Sequence, residues 1–410
     1  METKLPRVTS RREAEGAISL LQPTIEKIKT LRRGLEVGLV GRSDEAEIIT
    51  LALASGKNAV LIGDSGTAKS GMTLRLRKLI DGNVFYYQLH KSTQDYELLG
   101  HLDPKELRDG RYVRITGETL LTAHVAILDE IFEGSSFMLN ALRAALQERV
   151  FSDAGVLYPI GLHSTVGTSN VVPDEVPLQA FYDRFLYRGF VESVGTQGKI
   201  HGIMLASQDH VWSEERTKPV IGIEELRQFK EALAELRRWI MPLTTPENEP
   251  SDLARLYVEI INQIGRNGLH VSDRTHASVQ EAVAASALIM GRSTADAYDL
   301  RVLRYIVPHD LEEARIVNSV LSQYLNPDKM LPSDIIQLGK FLSEAISEVR
   351  DPDKVPEEQL KLLRDGVRTL EQAAHSPIAD EAARVAMREY NKIQNMLRDN
   401  LPLQTALTEA

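Results

Sequence analysis

Strand-like and helix-like patterns of apolar residues alternate in the part of the chain between residues 38 and 195. Continuous apolar character, rather than strict alternation, is typical of strands that are covered on both faces in a parallel sheet. Strands alternating with helices predict an α/β core. We therefore expect a five-stranded parallel sheet flanked by helices. Its strand-like runs lie at 58–63, 84–89, 124–129, 163–170 and 187–193.

The remainder of the chain is predicted to be helical. Apolar residues recur at helical spacing up to about residue 35 and again over 223–240. A Pro- and acid-rich linker at 242–252 follows, and amphipathic helices continue to the end. The predicted domains are an N-terminal helical arm (1–37), an α/β core (38–220), a helical domain (221–330) and a helical C-terminal extension (331–410).

Composition narrows the class of protein. The 410 residues are 43% hydrophobic, which is enough to bury a sizeable core. Because cysteine is absent, disulfides and thiolate metal sites are excluded, and no histidines have metal-ligand spacing. Neither a membrane-spanning apolar run nor a signal peptide is visible, so we expect a cytoplasmic protein without a membrane span. The net charge of −10 argues against nucleic acid as a partner.

One loop carries the chemistry of phosphate binding. Between a predicted strand and a predicted helix the chain reads Gly63-Asp64-Ser65-Gly66-Thr67-Ala68-Lys69-Ser70. A triphosphate needs a cradle of backbone N–H groups, a lysine for its terminal oxygens and a hydroxyl for Mg²⁺. The strict pattern has glycine where Ala68 stands, and alanine is expected to fit if that position is already helical. Taken alone, the loop could also be a glycine-rich turn.

A second segment supplies the acidic groups. An apolar run ends in Asp129 and Glu130, sixty positions after Lys69. In P-loop enzymes an Asp at a strand end orders Mg²⁺, and a neighbouring Glu can activate the attacking water. Asn170 ends the next strand and could orient that water from the other side. Together the two segments predict ATP and Mg²⁺ as cofactors, with Ser70 and Asp129 as the metal-binding residues.

These motifs resemble the MoxR family of AAA+ ATPases, and most closely its RavA-like branch. The resemblance runs from about residue 20 to 315 and includes Ala68, which is typical of the family's loop. It implies a P-loop AAA+ core and an all-α lid over 221–330. RavA-like proteins carry a further domain in or after the lid, which this sequence does not match, and a helical extension over 331–410 stands in its place. The matching segments are GLVGRSDE (38–45), GDSGTAKS (63–70), LDEIFEGSSFMLNALRAALQER (128–149), TSN (168–170), YDRF (182–185) and VSDR (271–274).

The resemblance also implies roles for individual residues around the nucleotide. Leu39 and Val40 would lie beside the adenine. Asn170 would act as sensor 1, and Arg274 would act as sensor 2 from the lid. Glu130 would keep the role of water-activating base that its position already indicates.

A ring-shaped assembly is implied as well. Arg184 would be an arginine finger that reaches the γ-phosphate of the neighbouring subunit, with Arg143 and Arg188 as alternatives. A finger acting between subunits requires an oligomer, most often a hexamer. The segments 98–117 and 150–161 match hairpins that would face the central pore.

Three functions follow from these observations. The first is an ATP-driven remodelling motor or chaperone, whose partner in the MoxR family is typically a von Willebrand factor A domain protein. The second is a nucleic-acid motor, although the charges of the first hairpin are nearly balanced. The third is a nucleotide-dependent scaffold that does not hydrolyse ATP, which an intact Glu130 argues against.

Overall fold

The computed structural model describes residues 8–153, 156–173, 175–193, 218–245, 247–324, 357–374 and 381–409, together with ten positions between 335 and 355. The chain divides into two compact units. The first comprises Met1–Ile240 and Gln280–Ser293, and the second comprises Met241–Val279 and Thr294–Ala410.

The first unit begins with two helices that precede the sheet. Helix α1 (Arg11–Glu36) starts at a capping box, in which Ser10 and Glu13 satisfy each other's backbone N–H groups. Its apolar stripe is buried, which explains the helical periodicity of this part of the sequence. Helix α2 (Ser43–Ser55) ends at Gly56, whose left-handed conformation closes the helix.

Five parallel strands form the central sheet, in the spatial order β3 (Val84–Gln88), β4 (Val125–Asp129), β7 (Ser164–Ser169), β1 (Ala59–Gly63) and β8 (Tyr187–Val191). The predicted fold class is therefore confirmed. Strands β4 and β7 are buried along their whole length, which explains their lack of polar–apolar alternation. The described strands are β1 (Ala59–Gly63), β2 (Ile80–Asp81), β3 (Val84–Gln88), β4 (Val125–Asp129), β5 (Val150–Asp153), β6 (Val156–Pro159), β7 (Ser164–Ser169), β8 (Tyr187–Val191) and β9 (Ile221–Gly222).

Further helices of the first unit lie between these strands, and the last of them follows β9. Parallel strands need such crossovers, because the chain must return to the same end of the sheet after each strand. The helices are α3 (Lys69–Leu79), α4 (Asp95–Leu99), α5 (Pro104–Arg108), α6 (Ser136–Gln147), α7 (Val176–Tyr182) and α8 (Ile223–Ile240).

Two segments lie outside the α/β core: residues 98–117 and 150–161, here called the first and second excursions. In the first, α5 is enclosed by an antiparallel bridge between Leu102 and Arg114. In the second, β5 and β6 pair as an antiparallel hairpin, as expected for 150–161. Both excursions expose large apolar side chains, among them Tyr112, Ile115 and Leu157.

The second unit is helical in its described part. Its helices are α9 (Asp252–Arg266), α10 (Asp273–Ile289), which continues into the first unit, α11 (Leu303–Ile306), α12 (Leu311–Ser322), α13 (Glu357–Ala374), α14 (Glu381–Asp399) and α15 (Leu401–Glu409). The C-terminal helices bury a cluster of their own that includes Leu363, Ile393 and Leu403. Among the residues that the structure describes, no helix combines the length and apolarity that a bilayer crossing requires.

Candidate nucleotide site

The phosphate loop joins the end of β1 to the start of α3. Its backbone requires glycine at two positions. A side chain at Gly63 would collide with the carbonyl oxygen of Val191 on the neighbouring strand β8, so glycine permits this close approach. Gly66 has a φ of 81°, in the left-handed region that favours glycine. Gly63 therefore serves sheet packing as well as the loop.

Ala68 does not have the conformation that we expected. It precedes α3 with φ 69° and ψ 14°, so the expectation of a residue that is already helical is wrong. The chain turns sharply between β1 and α3, and this turn forces a left-handed residue at the helix start. A single alanine in that region is strained by about 1–3 kcal/mol.

Lys69 lies folded over the loop. Its Nζ donates to the carbonyl oxygens of Gly63 and Asp64 at 2.5 and 2.8 Å, and to Oδ1 of Asn170 at 3.1 Å. Burial lowers the pKa of the ammonium group, against the pull of Glu130 and the other nearby carboxylates. The lysine is thus held by weak neutral acceptors, which the oxygens of a phosphate can replace.

The Asp129 carboxylate is surrounded by hydroxyl groups. Ser70 Oγ and Tyr86 Oη lie 3.0 and 3.2 Å from its Oδ2, and the Thr168 hydroxyl donates to its Oδ1. Sequence reasoning identified Ser70 but missed Tyr86 and Thr168. No local sequence signal marks them, because both reach Asp129 from neighbouring strands. Gly167 pairs with Leu128, which brings Thr168 level with Asp129, and Tyr86 pairs with Ile127, two positions before Asp129.

Glu130 and Asn170 are in direct contact, as the roles proposed for them require. The Asn170 amide Nδ2 donates to Glu130 Oε1 at 2.5 Å. Burial, reinforced by the neighbouring Asp129 carboxylate, raises the pKa of Glu130, although Lys69 acts in the opposite direction. A base with a raised pKa accepts a proton more readily near neutral pH.

The donor set fits magnesium. In the described parts of the chain, no group of three or more histidine and acidic side chains forms a metal cage. Mg²⁺ does not require one, because it usually keeps several waters and binds one or two protein oxygens together with substrate phosphates. The Ser70 hydroxyl and the Asp129 carboxylate are oxygen ligands of this kind, at the end of the phosphate loop.

The remaining predicted site residues are Leu39, Val40 and Arg274. Leu39 is buried and Val40 half-buried, in the segment between α1 and α2. Arg274 is exposed in the first turn of α10, within the second unit, so its role as sensor 2 stays a prediction.

The three arginines considered for the finger differ in their surroundings. Arg184 is half-buried and donates from Nη1 to the carbonyl oxygen of Ala180 at 2.6 Å. Arg188 is 5% exposed, lies 3.6 Å from Asp183 and stacks over the Tyr182 ring. Arg143 is half-buried on α6. The contacts of Arg188 suit a structural role within its own subunit.

The sheet order and the loop together define the class of protein. In this sheet one strand runs into a phosphate loop and a helix, and β7 separates it from the strand that ends in an acidic pair. This is the arrangement of a P-loop nucleoside triphosphatase. The model of the "MoxR domain in the MoxR-vWA-beta-propeller ternary systems" matches residues 26–231, and that of an AAA lid domain matches 252–321. The chain belongs to the MoxR family of AAA+ ATPases.

Several known proteins are similar to the chain over most of its length. An uncharacterised protein of Methanocaldococcus jannaschii is 29% identical over 74% of this chain and 75% of its own. A second one from the same organism is 28% identical, with coverage of 76% and 84%. A structural protein of Acidianus two-tailed virus is 24% identical over 76% of this chain and 54% of its own.

A solved structure supports the fold. A protein from Cytophaga hutchinsonii, described only provisionally as an ATPase, superimposes with a TM-score of 0.58 at 16% identity. The match covers 77% of this chain and 98% of the other.

Proposed function

We propose that the chain hydrolyses ATP with Mg²⁺ and uses the cycle to remodel protein partners in an oligomeric ring. One observation carries the proposal: Asn170 is hydrogen-bonded to both Lys69 and Glu130. The contact between Ser70 and Asp129 lies at the same end of the sheet. Groups suited to bind phosphate, hold a metal ion and activate water therefore meet in one place.

The geometry supports distinct roles for the phosphate- and metal-binding groups. Lys69 would leave the carbonyl oxygens of Gly63 and Asp64 and bind the β- and γ-phosphates. Ser70 and Asp129 would hold Mg²⁺. The ion would supply positive charge that offsets the charge developing on the phosphate oxygens. The hydroxyls of Tyr86 and Thr168 would keep the Asp129 carboxylate oriented.

The Glu130 carboxylate is proposed to take the proton from the attacking water. The Glu130 backbone is left-handed, with φ 51° and ψ 46°, at the position directly after β4. The hydrogen bond from Asn170 would hold the carboxylate while the water is polarised. Glu130 would then contribute to hydrolysis rather than to nucleotide binding, since Lys69 and the loop bind the phosphates.

The decisive experiment compares Mg²⁺-dependent ATP turnover of the wild type and Glu130→Gln. We expect turnover to fall by about 10²–10⁴-fold, the usual contribution of a general base, while ATP affinity is retained. Glu133→Gln, three residues further along, is the matched control and should leave turnover unchanged. A wild type that binds ATP and assembles but has no turnover would overturn the proposal of an autonomous motor.

The partner and the assembly are proposed from the family. The matching family model describes the MoxR domain of systems that combine MoxR, vWA and β-propeller components. We therefore propose a von Willebrand factor A domain protein as partner, and a hexameric ring in which Arg184 acts between subunits. The closer assignment to the RavA-like branch rests on the quoted motifs, such as YDRF at 182–185.

A non-hydrolysing scaffold is the second candidate, because the viral relative is described as a structural protein. The same assay separates the two functions, since a scaffold would assemble with ATP without turning it over. A nucleic-acid motor is less well supported. The first excursion pairs Arg111 with Glu106 and Asp109, which leaves its charge nearly balanced.

A further inference from the structure

The segment 38–41, here called the base segment, links α1 to α2 through two glycines in left-handed conformation. Gly38 has a φ of 68° and Gly41 a φ of 72°, and Leu39 between them is buried. Glycine adopts many conformations at similar energy, so two glycines give this segment large backbone freedom. A precise position for it requires contacts from outside the segment.

Arg75 supplies such contacts at the first end of the base segment. Its Nη1 donates to the carbonyl oxygen of Leu35 at 3.2 Å and to that of Val37. These carbonyls lie at the end of α1 and directly before Gly38. Arg75 is on α3, the helix that starts with Lys69, so its guanidinium ties the base segment to the phosphate-binding helix.

Arg42 supplies contacts at the second end. It is 7% exposed, and its Nη1 donates to Glu45 Oε1 at 3.2 Å and to the carbonyl oxygen of Glu192 at 3.0 Å. Glu192 directly follows β8, the strand that lies against Gly63 of the phosphate loop.

We propose that Arg42 and Arg75 are positioning residues that hold the base segment in register with the phosphate loop, so that base and triphosphate bind together. This inference rests on the proposed function, because it takes Leu39 and Val40 as contacts of the adenine. Arg75 acts from the helix that starts at Lys69 and holds the chain just before the base segment. Arg42 directly follows the base segment and ties it to the chain after β8, the strand beside Gly63.

The proposal predicts a loss that is specific for the base. Removing either guanidinium frees the base segment, while Lys69 and the loop amides continue to bind phosphates. A hydrogen bond from a charged group contributes enough to change affinity by about 10-fold or more. We therefore expect ATP to bind about 10-fold more weakly to Arg42→Met and Arg75→Met. Inorganic tripolyphosphate, which has no base, should bind as before.

The test measures the dissociation constants of ATP and tripolyphosphate, each with Mg²⁺, by calorimetry on the full chain carrying Glu130→Gln to prevent turnover. Arg33→Met is the matched control, because Arg33 also lies on α1 but its side chain is 69% exposed. It should change neither constant. Arg42→Lys and Arg75→Lys should recover part of the ATP affinity, since each keeps a charged donor.

Each outcome has a definite meaning. Equal weakening of ATP and tripolyphosphate would overturn the inference, because the arginines would then act on the loop itself. Unchanged ATP binding in both Met variants would also overturn it. If one variant unfolds, as thermal melting would show, the other still decides the question. If the chain carrying only Glu130→Gln binds neither ligand, the proposed function is overturned. That result does not depend on the Met variants.

Discussion

Two residues of the nucleotide site other than glycine, Ala68 and Glu130, adopt left-handed backbone conformations. Each costs about 1–3 kcal/mol and persists only where surrounding contacts determine the conformation. For Ala68 these contacts belong to the entry into α3. For Glu130 they include the hydrogen bond from Asn170. Strain at two positions of the proposed nucleotide site is consistent with a site whose geometry is maintained for function.

Tyr86 gives a prediction at the same scale. Tyr86→Phe removes the hydroxyl that donates to Asp129 but keeps the ring. The carboxylate then loses one of the groups that orient it towards Mg²⁺. A hydrogen bond to a charged group is worth about 1.5–3 kcal/mol, so we expect the Mg²⁺ concentration for half-maximal turnover to rise about 10-fold.

Tyr87→Phe is the control for this measurement, because the neighbouring hydroxyl donates to Glu97 and not to Asp129. Titration of Mg²⁺ at saturating ATP gives the comparison. If both variants show the wild-type magnesium dependence, Tyr86 does not orient the metal-binding carboxylate.

At the scale of elements, the contact between β1 and β8 decides how the phosphate loop begins. Gly63 pairs with Val191 in the parallel register. Because a Cβ at this position would meet the backbone of β8 rather than a flexible side chain, the strands must separate to accept one. Loop position and sheet integrity are thus coupled at a single residue.

Gly63→Ala is therefore expected to lower the free energy of unfolding by more than about 2 kcal/mol, through overpacking between the strands. Gly16→Ala is the matched substitution on the exposed side of α1, where the added methyl group meets no heavy atom within 4 Å among the described residues. It should raise the free energy of unfolding by up to about 1 kcal/mol, because alanine favours helix. Urea denaturation of both variants measures the difference. Equal changes in the free energy of unfolding for the two variants would show that β8 moves aside at little cost.

At the scale of the whole molecule, stability is expected to depend on pH through buried groups. Burial, with the nearby Asp44, raises the pKa of Glu45 to about 7 from its ordinary 4.5. The folded chain then keeps a proton that the unfolded chain releases, so this contribution is present below pH 4.5 and is lost as the pH rises to 7. Burial lowers the pKa of His163 to about 4 from 6.5, and its contribution is lost as the pH falls through that range.

Glu45→Gln separates these two opposing effects. The variant should gain stability relative to the wild type as the pH rises from 4.5 to 7, by on the order of 2 kcal/mol in total. Urea denaturation at pH 5, 6, 7 and 8 measures the gain. Glu15→Gln on the exposed face of α1 is the control, with a curve parallel to the wild type. A parallel curve for Glu45→Gln would show that Glu45 does not hold its proton in the folded chain.

Assembly gives the second prediction at this scale. If Arg184 acts on the nucleotide of a neighbouring subunit, Arg184→Ala and Glu130→Gln chains should each be inactive alone. Mixed assemblies restore interfaces that have both groups, so we expect about a quarter of the wild-type turnover from an equal mixture, because ring subunits would combine at random. Arg143→Ala mixed in the same way is the control. A mixture without activity would contradict a finger acting between subunits.

The strands, the phosphate loop and the acidic pair could be predicted from the sequence, because each depends on residues that are close along the chain. Buried parallel strands require continuous apolar runs, and a phosphate cradle requires Gly66, Lys69 and Ser70 at a set spacing. The domain boundaries, the cytoplasmic location and the ring stay predictions.

Other features depended on contacts between distant parts of the chain. The hydroxyls of Tyr86 and Thr168 reach Asp129 because three strands lie side by side, and strand order is not encoded in any one segment. Arg42 reaches the carbonyl of Glu192 across 150 positions for the same reason. The left-handed Ala68 arises from the turn between β1 and α3, whose geometry is set by packing. The chemical character of a site can be inferred from residues close together in the sequence. The hydrogen-bond partners of its side chains depend on tertiary packing, which brings distant residues together.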